Sequence, residues 1–229
     1  MTTLLIATRN AHKVREISQM TGGEFRCLAL NDLPGAPDAV EDAETFAGNA
    51  MKKALTLARW LAKNPGAVPG GGAAEEQIFI LADDSGLEVD ALGGAPGVHS
   101  ARFAASQAPG SGNAPDAANN AKLLRLLEGI PPQQRTARFR CVLAILPVSR
   151  RSPPAAAGQI ILFDGVCEGT IRGLASGRGG FGYDPLFVPA GCTKSFAELG
   201  EDAKNELSHR ALALKKLKEF MAKGTVDRS

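Results

Sequence analysis

The chain has 229 residues, 44% of them hydrophobic and 22% charged, an ordinary composition for a folded soluble protein that excludes full-length disorder. At roughly 150 residues per domain, it is one large domain or one domain with a smaller lobe. The 26 Lys and Arg against 24 Asp and Glu leave a net charge of +2, so no global basic field exists to hold nucleic acid by counterion release.

Taken in chain order, Thr3 to Ala7 is a β-type apolar run. Thr8-Arg9-Asn10 leads into a helix over Ala11 to Met20, with Val14, Ile17 and Met20 on one face. Phe25 to Leu30 reads as a second strand. Asn31 to Glu44 is acidic and loop-like, with Pro34, Gly35 and Pro37. A long helix follows from Thr45 to Lys63, buried along Phe46, Ala50, Leu57 and Leu61 and stopped by Asn64-Pro65-Gly66. Residues 66–76 (GAVPGGGAAEE) are low in complexity and read as a surface insertion.

Ile78 to Ala82 is a short continuous apolar strand, expected to end at Asp83-Asp84-Ser85-Gly86. After the segment Gly93-Gly94-Ala95-Pro96-Gly97, a helix over Asp116 to Glu128 carries Ala117, Ala121, Leu124 and Leu127 on one face. Ala137 to Leu146 is a long strand, and residues 149–158 form a second Pro/Ala-rich insertion. Two strands, Gln159 to Phe163 and Val166 to Ile171, are expected around Asp164-Gly165. A glycine-rich loop over Gly177 to Pro185 precedes a short strand at Leu186 to Val188. The last helix starts near Ser208 and runs to about Lys223. Early alternation of strands and helices with a strand-rich middle predicts an α/β protein with a mixed sheet.

The four cysteines, Cys27, Cys141, Cys167 and Cys192, form no CxxC pair and fit neither a zinc site nor a disulfide framework. Leu4 to Ala7 is too short for a signal-peptide core, and no run approaches the ~20 apolar residues of a membrane span. A cytoplasmic protein is therefore expected, with no membrane and no nucleic acid as partners.

Several segments carry candidate chemistry. Thr8-Arg9-Asn10-Ala11-His12-Lys13 lies at a strand-to-helix turn. A helix N-terminus with a lysine one turn in can bind a phosphate, though on its own the turn reads first as a plain cap by Thr8 or Asn10. Asp83 and Asp84 would repel unless a divalent cation or a basic group offsets them, and Mg²⁺ prefers such oxygen ligands. Asp-Ser-Gly is also good turn chemistry. Glu41, Asp42 and Glu44 precede the long helix, either as dipole complements or, for Glu41, as a further metal ligand. Gly179 to Pro185 holds Phe181 and Tyr183 among glycines, where a nucleobase can stack and Asp184 can accept a base N–H, unless both rings are core. Lys204 precedes Ser208-His209-Arg210, where Ser208 is a candidate N-cap and the two cations sit at the wrong end of the helix dipole unless they face an acceptor.

Together Thr8 to Lys13, Asp83-Asp84-Ser85-Gly86-Leu87, Gly93 to Gly97, Gly179 to Pro185 and Ser208-His209-Arg210 resemble the inosine triphosphate pyrophosphatase family, also described as dITP/XTP pyrophosphatases or Ham1-like proteins. The motifs follow the family's order from Leu4 to Leu217, and His99 stands where the family commonly has Tyr. The resemblance implies an elongated mixed β-sheet flanked by helices, one domain over residues 1–229 with two lobes around a cleft, and a homodimer. It implies Mg²⁺-dependent hydrolysis of ITP, dITP or XTP to the monophosphate and pyrophosphate. By the same resemblance Asp84 is the general base and a metal residue, with Glu41 and Asp83 at the metal. Thr8, Asn10, Lys13 and Lys204 hold phosphates, within a substrate-binding turn that includes Arg9, Ala11 and His12. Phe181 and Gly182 form the stacking loop, Tyr183, Asp184, His209 and Arg210 read the base edge, and Ser85 touches the substrate. A Maf-like nucleotide pyrophosphatase is the alternative enzyme, against which Ser208-His209-Arg210 argues. A nucleotide sensor without turnover needs no base, so Asp83-Asp84 with Lys13 argues against it.

Overall fold

A computed structural model describes residues 2–70, 77–105, 112–148 and 159–226, the side chains as far as Lys223. Six strands form one sheet in the order β2-β1-β3-β4-β5-β6: β1 Thr2–Ile6, β2 Phe25–Ala29, β3 Ile78–Val89, β4 Thr136–Val148, β5 Ile161–Ile171 and β6 Phe187–Pro189. β1 pairs in parallel with both β2 and β3, and β5 pairs antiparallel with β6, so the sheet is mixed. The helices are α1 Ala11–Thr21, α2 Phe46–Lys63, α3 Asp116–Leu126, α4 Phe196–Leu207 and α5 His209–Val226. No helix among the described residues is long and apolar enough to cross a membrane. Of the expected insertions, residues 149–158 and 71–76 lie outside the described residues, and Pro65–Gly70 is mostly turns.

Two compact units share the chain. The first is Met1–Asp84, Val142–Asp164 and Leu214–Ser229, and the second is Ser85–Cys141 and Gly165–Ala213. In the first, Leu4, Leu5 and Ile6 of β1 are all fully buried, as expected of a central parallel strand covered on both faces. α2 buries Ala50, Ala54, Leu57 and Leu61 at helical spacing, and Asn49 and Lys53 lie in the same stripe. In the second, Leu87, Val89, Leu123, Leu127, Phe139, Phe187 and Phe196 form the core.

Three expectations are corrected. β3 does not stop at Ala82. It runs through Asp83-Asp84-Ser85-Gly86 to Val89, and Gly86 is not left-handed, so no turn forms there. The strand tolerates two buried carboxylates because each has a lysine. Second, Asp164-Gly165 does not separate two strands, because β5 is continuous through it. Gly165 is small for another reason: a Cβ there would lie 2.0 Å from His209 O and 2.7 Å from Ala213 N, where the backbone of α5 crosses. Third, α4 is a helix that the apolar spacing does not announce. Gly200, at φ 86 and ψ 179, kinks it and breaks its period, but Ser195 and Glu198 form a capping box at its start.

Candidate active site

In the first unit, β1 ends at Ile6 and the chain turns into α1. Asn10 caps the helix, its Oδ1 accepting from His12 N at 3.0 Å and Lys13 N at 3.2 Å. Thr8 Oγ1 accepts from Asn10 N at 3.1 Å. Those two amides are spent on the cap, so the Lys13 ammonium is the stronger donor that this turn offers to a phosphate. Ala11 and His12 are exposed in the first turn. Arg9 holds the loop after β2 instead. Its guanidinium donates to both Asp38 oxygens at 3.1 Å, to Asn31 Oδ1 at 3.0 Å and to Ala36 O at 2.6 Å.

The paired aspartates take their cations from different helices. Lys13 Nζ of α1 lies 2.5 Å from Asp83 Oδ1. Lys53 Nζ of α2 lies 2.7 Å from Asp84 Oδ1 and 3.0 Å from Glu41 Oε2, and it donates to Asp83 O at 3.1 Å. Asn49 Nδ2 donates to Asp84 Oδ2 at 3.3 Å. Burial pushes the Asp84 carboxyl above the usual carboxylate value. Lys53 and Lys13 offset this only in part, and the like charge of Glu41 adds to the rise. Glu41 goes the other way: burial opposes its charge, but Lys53 and then Lys13 outweigh it and hold its carboxyl low. For Lys53, burial works against the ammonium, yet Asp84 and Glu41 overcome it and raise its value. Two neighbouring carboxyls pushed apart in this way suit a base, Asp84, and a fixed charge, Glu41.

Asp84 and Glu41 converge on one positive centre. That is a hard-oxygen pair of the kind Mg²⁺ takes while keeping several waters. Asp83 faces Lys13 rather than the Lys53 ammonium that Asp84 and Glu41 share, and among the described residues no three His, Cys, Asp or Glu side chains cluster closely enough to hold a metal ion. The donors present fit a cation held by two carboxylates and water, with Asp83 supporting rather than ligating.

The second unit carries the stacking loop. Asp184 is buried, and its Oδ2 accepts from Phe181 N at 2.8 Å and from Lys204 Nζ at 2.5 Å. Gly180 sits at φ 74, where a Cβ would lie 2.1 Å from that same oxygen, so glycine alone lets the loop close on the carboxylate. Lys204 Nζ lies 4.2 Å from the Phe181 ring centroid and Arg210 Cζ 5.9 Å from it, both on the ring face. Lys204 is therefore built into the loop. Gly182 N donates to Asp116 Oδ2 at 2.6 Å. Arg210 is 1% exposed, and its Nη2 donates to Ser85 Oγ at 2.9 Å. Ser208 caps α5, its Oγ accepting from Ala211 N at 3.2 Å.

Two residues are placed in the core. The Tyr183 ring packs in the second unit's core and its hydroxyl donates to Ser100 O at 2.9 Å, while burial pushes that phenol well up. His209 stacks on Phe139, with ring centroids 4.8 Å apart. Of the residues singled out from the sequence, Lys13, Asp83, Asp84 and Glu41 thus gather in one cluster, and Ser85, Phe181, Asp184, Lys204 and Arg210 in another. Arg9 contacts the loop after β2, Tyr183 the core and Ser100, and His209 the Phe139 ring. Lys53 and Asn49 were not singled out. The available signal was position: Lys53 falls three residues after Ala50 and four before Leu57, and a lysine on an apolar stripe requires a buried partner.

A sequence profile of the Ham1 family matches residues 4–220. The chain belongs to the Ham1 family. It is 44% identical over 219 residues to the dITP/XTP pyrophosphatase of Desulforamulus reducens, covering 95% of this chain and 94% of that protein. It is 45% identical over 222 residues to the dITP/XTP pyrophosphatase of Geobacillus kaustophilus, covering 96% and 94%. The HAM1 protein structure from Coxiella burnetii matches with a TM-score of 0.75 and 32% identity, covering 97% of this chain and all of that one. The Staphylococcus aureus Ham1 structure matches with a TM-score of 0.74 and 31% identity, over 97% and 99% of the two chains.

Proposed function

We propose that this protein hydrolyses non-standard purine nucleoside triphosphates (ITP, dITP and XTP) to the monophosphate and pyrophosphate, and so removes them from the nucleotide pool. It acts in the cytoplasm as a homodimer on the same reading. The observation that carries the proposal is the carboxylate–lysine cluster of the first unit, where Asp84 and Glu41 share the Lys53 ammonium while Lys13 holds the adjacent Asp83.

Asp84 takes a proton from a water whose oxygen bonds to the α-phosphorus, and the bond from that phosphorus to the α,β-bridging oxygen breaks as pyrophosphate leaves. Burial raises the Asp84 carboxyl in the metal-free site, and beside Mg²⁺ it would be ionised near neutral pH and so able to take the water's proton. Lys13 and Lys53 supply positive charge for the polyphosphate, in a reaction that needs neutralisation and positioning more than covalent chemistry. Glu41 and Asp84 would hold Mg²⁺, which when bound supplies further neutralisation and a template for the phosphates. Phe181 gives a flat ring on which the base can stack, with Lys204 and Arg210 beside it. The Arg210 guanidinium suits the 6-oxo group of hypoxanthine or xanthine and is mispaired with the 6-amino group of adenine. A buried unmatched donor costs ~1–3 kcal/mol.

Ion chromatography of products after incubation with Mg²⁺ and ITP, XTP, ATP or GTP tests the proposal. IMP and XMP with pyrophosphate, and little product from ATP or GTP, are expected. IDP with phosphate would overturn the cleavage position, and binding without turnover would make the protein a sensor.

A further inference from the structure

Asn49 is fully buried in the first turn of α2 and uses both ends of its carboxamide. Its Oδ1 accepts from Ala43 N at 3.0 Å, and its Nδ2 donates to Ala43 O at 3.4 Å. The same Nδ2 donates to Asp84 Oδ2 at 3.3 Å, opposite the oxygen that Lys53 holds. Ala43 lies two residues after Glu41. One side chain thus clasps the backbone of the Glu41 loop and orients the Asp84 carboxylate. The loop also packs directly on the helix: a Cβ at Gly48 would lie 2.7 Å from Ala43 Cβ, so the close approach that the clasp needs depends on glycine there.

We propose that Asn49 is a positioning residue for the hydrolytic reaction, setting the spacing of Glu41 and Asp84 through one carboxamide. The inference rests on the pyrophosphatase reading above. The chemistry requires an acceptor and a donor from one short side chain. Ala supplies neither, Gln sets the amide one methylene further out, and Ser has too short a reach for three partners. Asp keeps the acceptor towards Ala43 N but loses the donor to Asp84 and sets a like charge beside it.

That asymmetry separates the two functions. Asn49→Asp, Asn49→Ala and wild type are compared by steady-state kinetics with ITP, by hydrogen exchange at the Ala43 amide and by thermal unfolding. Loss of an outer partner of a metal-site carboxylate costs roughly 10–100-fold in activity. For Asn49→Asp, a fall of that size in kcat is expected, with KM little changed and Ala43 protected as in wild type. For Asn49→Ala, the kcat loss is expected together with faster exchange at Ala43. Asn49→Asp with wild-type kcat, or a loss confined to KM, would overturn the proposal. So would activity falling only in step with the folded fraction. Wild type without ITP hydrolysis would instead sink the pyrophosphatase reading.

Discussion

Replacing Lys53 with Met tests whether the two site carboxylates depend on one buried cation. The side chain of Lys53 is 9% exposed and that of Asp84 6%, so both charges are largely withdrawn from water. Met keeps the length of the apolar stem and removes the ammonium, so packing changes little. Breaking a buried pair by removing one partner costs about 3–5 kcal/mol, because the other charge is left uncompensated. Glu41 is more than a third exposed and adds little, as solvent screens it. For a chain of this size, each kcal/mol shifts Tm by roughly 2–4 °C, so a drop of about 6–20 °C is expected in metal-free buffer near neutral pH. The deficit depends on pH in a defined direction. Asp84 is raised in the folded state, so its contribution is fully present below its unfolded value and is lost as pH rises through the folded value. Losing Lys53 removes the largest lowering influence, and the folded value climbs further. The Tm gap to wild type should therefore be widest near about pH 8 and narrow towards about pH 5. Calorimetry of both proteins across that range decides it. A gap under about 2 °C, or one that widens on acidification, would refute the reasoning.

Three other substitutions probe separate parts of the molecule. Asp84→Asn should keep the fold and lower kcat with ITP by ~100-fold or more, and near wild-type turnover would remove it as the base. Phe181→Leu should raise KM for ITP by about 5- to 150-fold through the loss of ~1–3 kcal/mol of stacking, with kcat little changed, and an unchanged KM would place the base elsewhere. Gly165→Ala puts a Cβ 2.0 Å from His209 O, so overpacking of ~1–3 kcal/mol or more should appear as a lower Tm, and a Tm equal to wild type would contradict the close passage of α5.

How much the sequence disclosed follows from the range of each signal. β1, α1, β2 and α2 were legible because apolar period and caps are local: Asn10 at the start of α1 and the stripe Ala50, Leu57, Leu61 act within a turn or two. Asp83-Asp84-Ser85-Gly86 was misread as a strand end because its composition is that of a turn, while the cations that let its carboxylates lie in a buried strand are Lys13 and Lys53, 70 and 31 residues away. The break between strands expected at Asp164-Gly165 is absent for the same reason, the constraint on Gly165 being the backbone of α5. The chemistry-bearing residues stood out by type, but their partners did not. Lys204 is held by Asp184 and the Phe181 ring, partners that no local pattern announces. Tyr183 donates its hydroxyl to Ser100 O, 83 residues away in the chain. Lys53 and Asn49 lay unremarked in a helix whose pattern explained everything except why they were polar.

The position of water attack is the most direct test of the central claim. ITP is turned over in water enriched in heavy oxygen, and the products are separated and weighed by mass spectrometry. Label in the IMP phosphate, with unlabelled pyrophosphate, is the predicted result, since the water activated by Asp84 bonds to the α-phosphorus. Label in the pyrophosphate instead would mean attack at the β-phosphorus and would contradict the assignment of Asp84, Glu41 and Lys53 to an α-phosphoryl site.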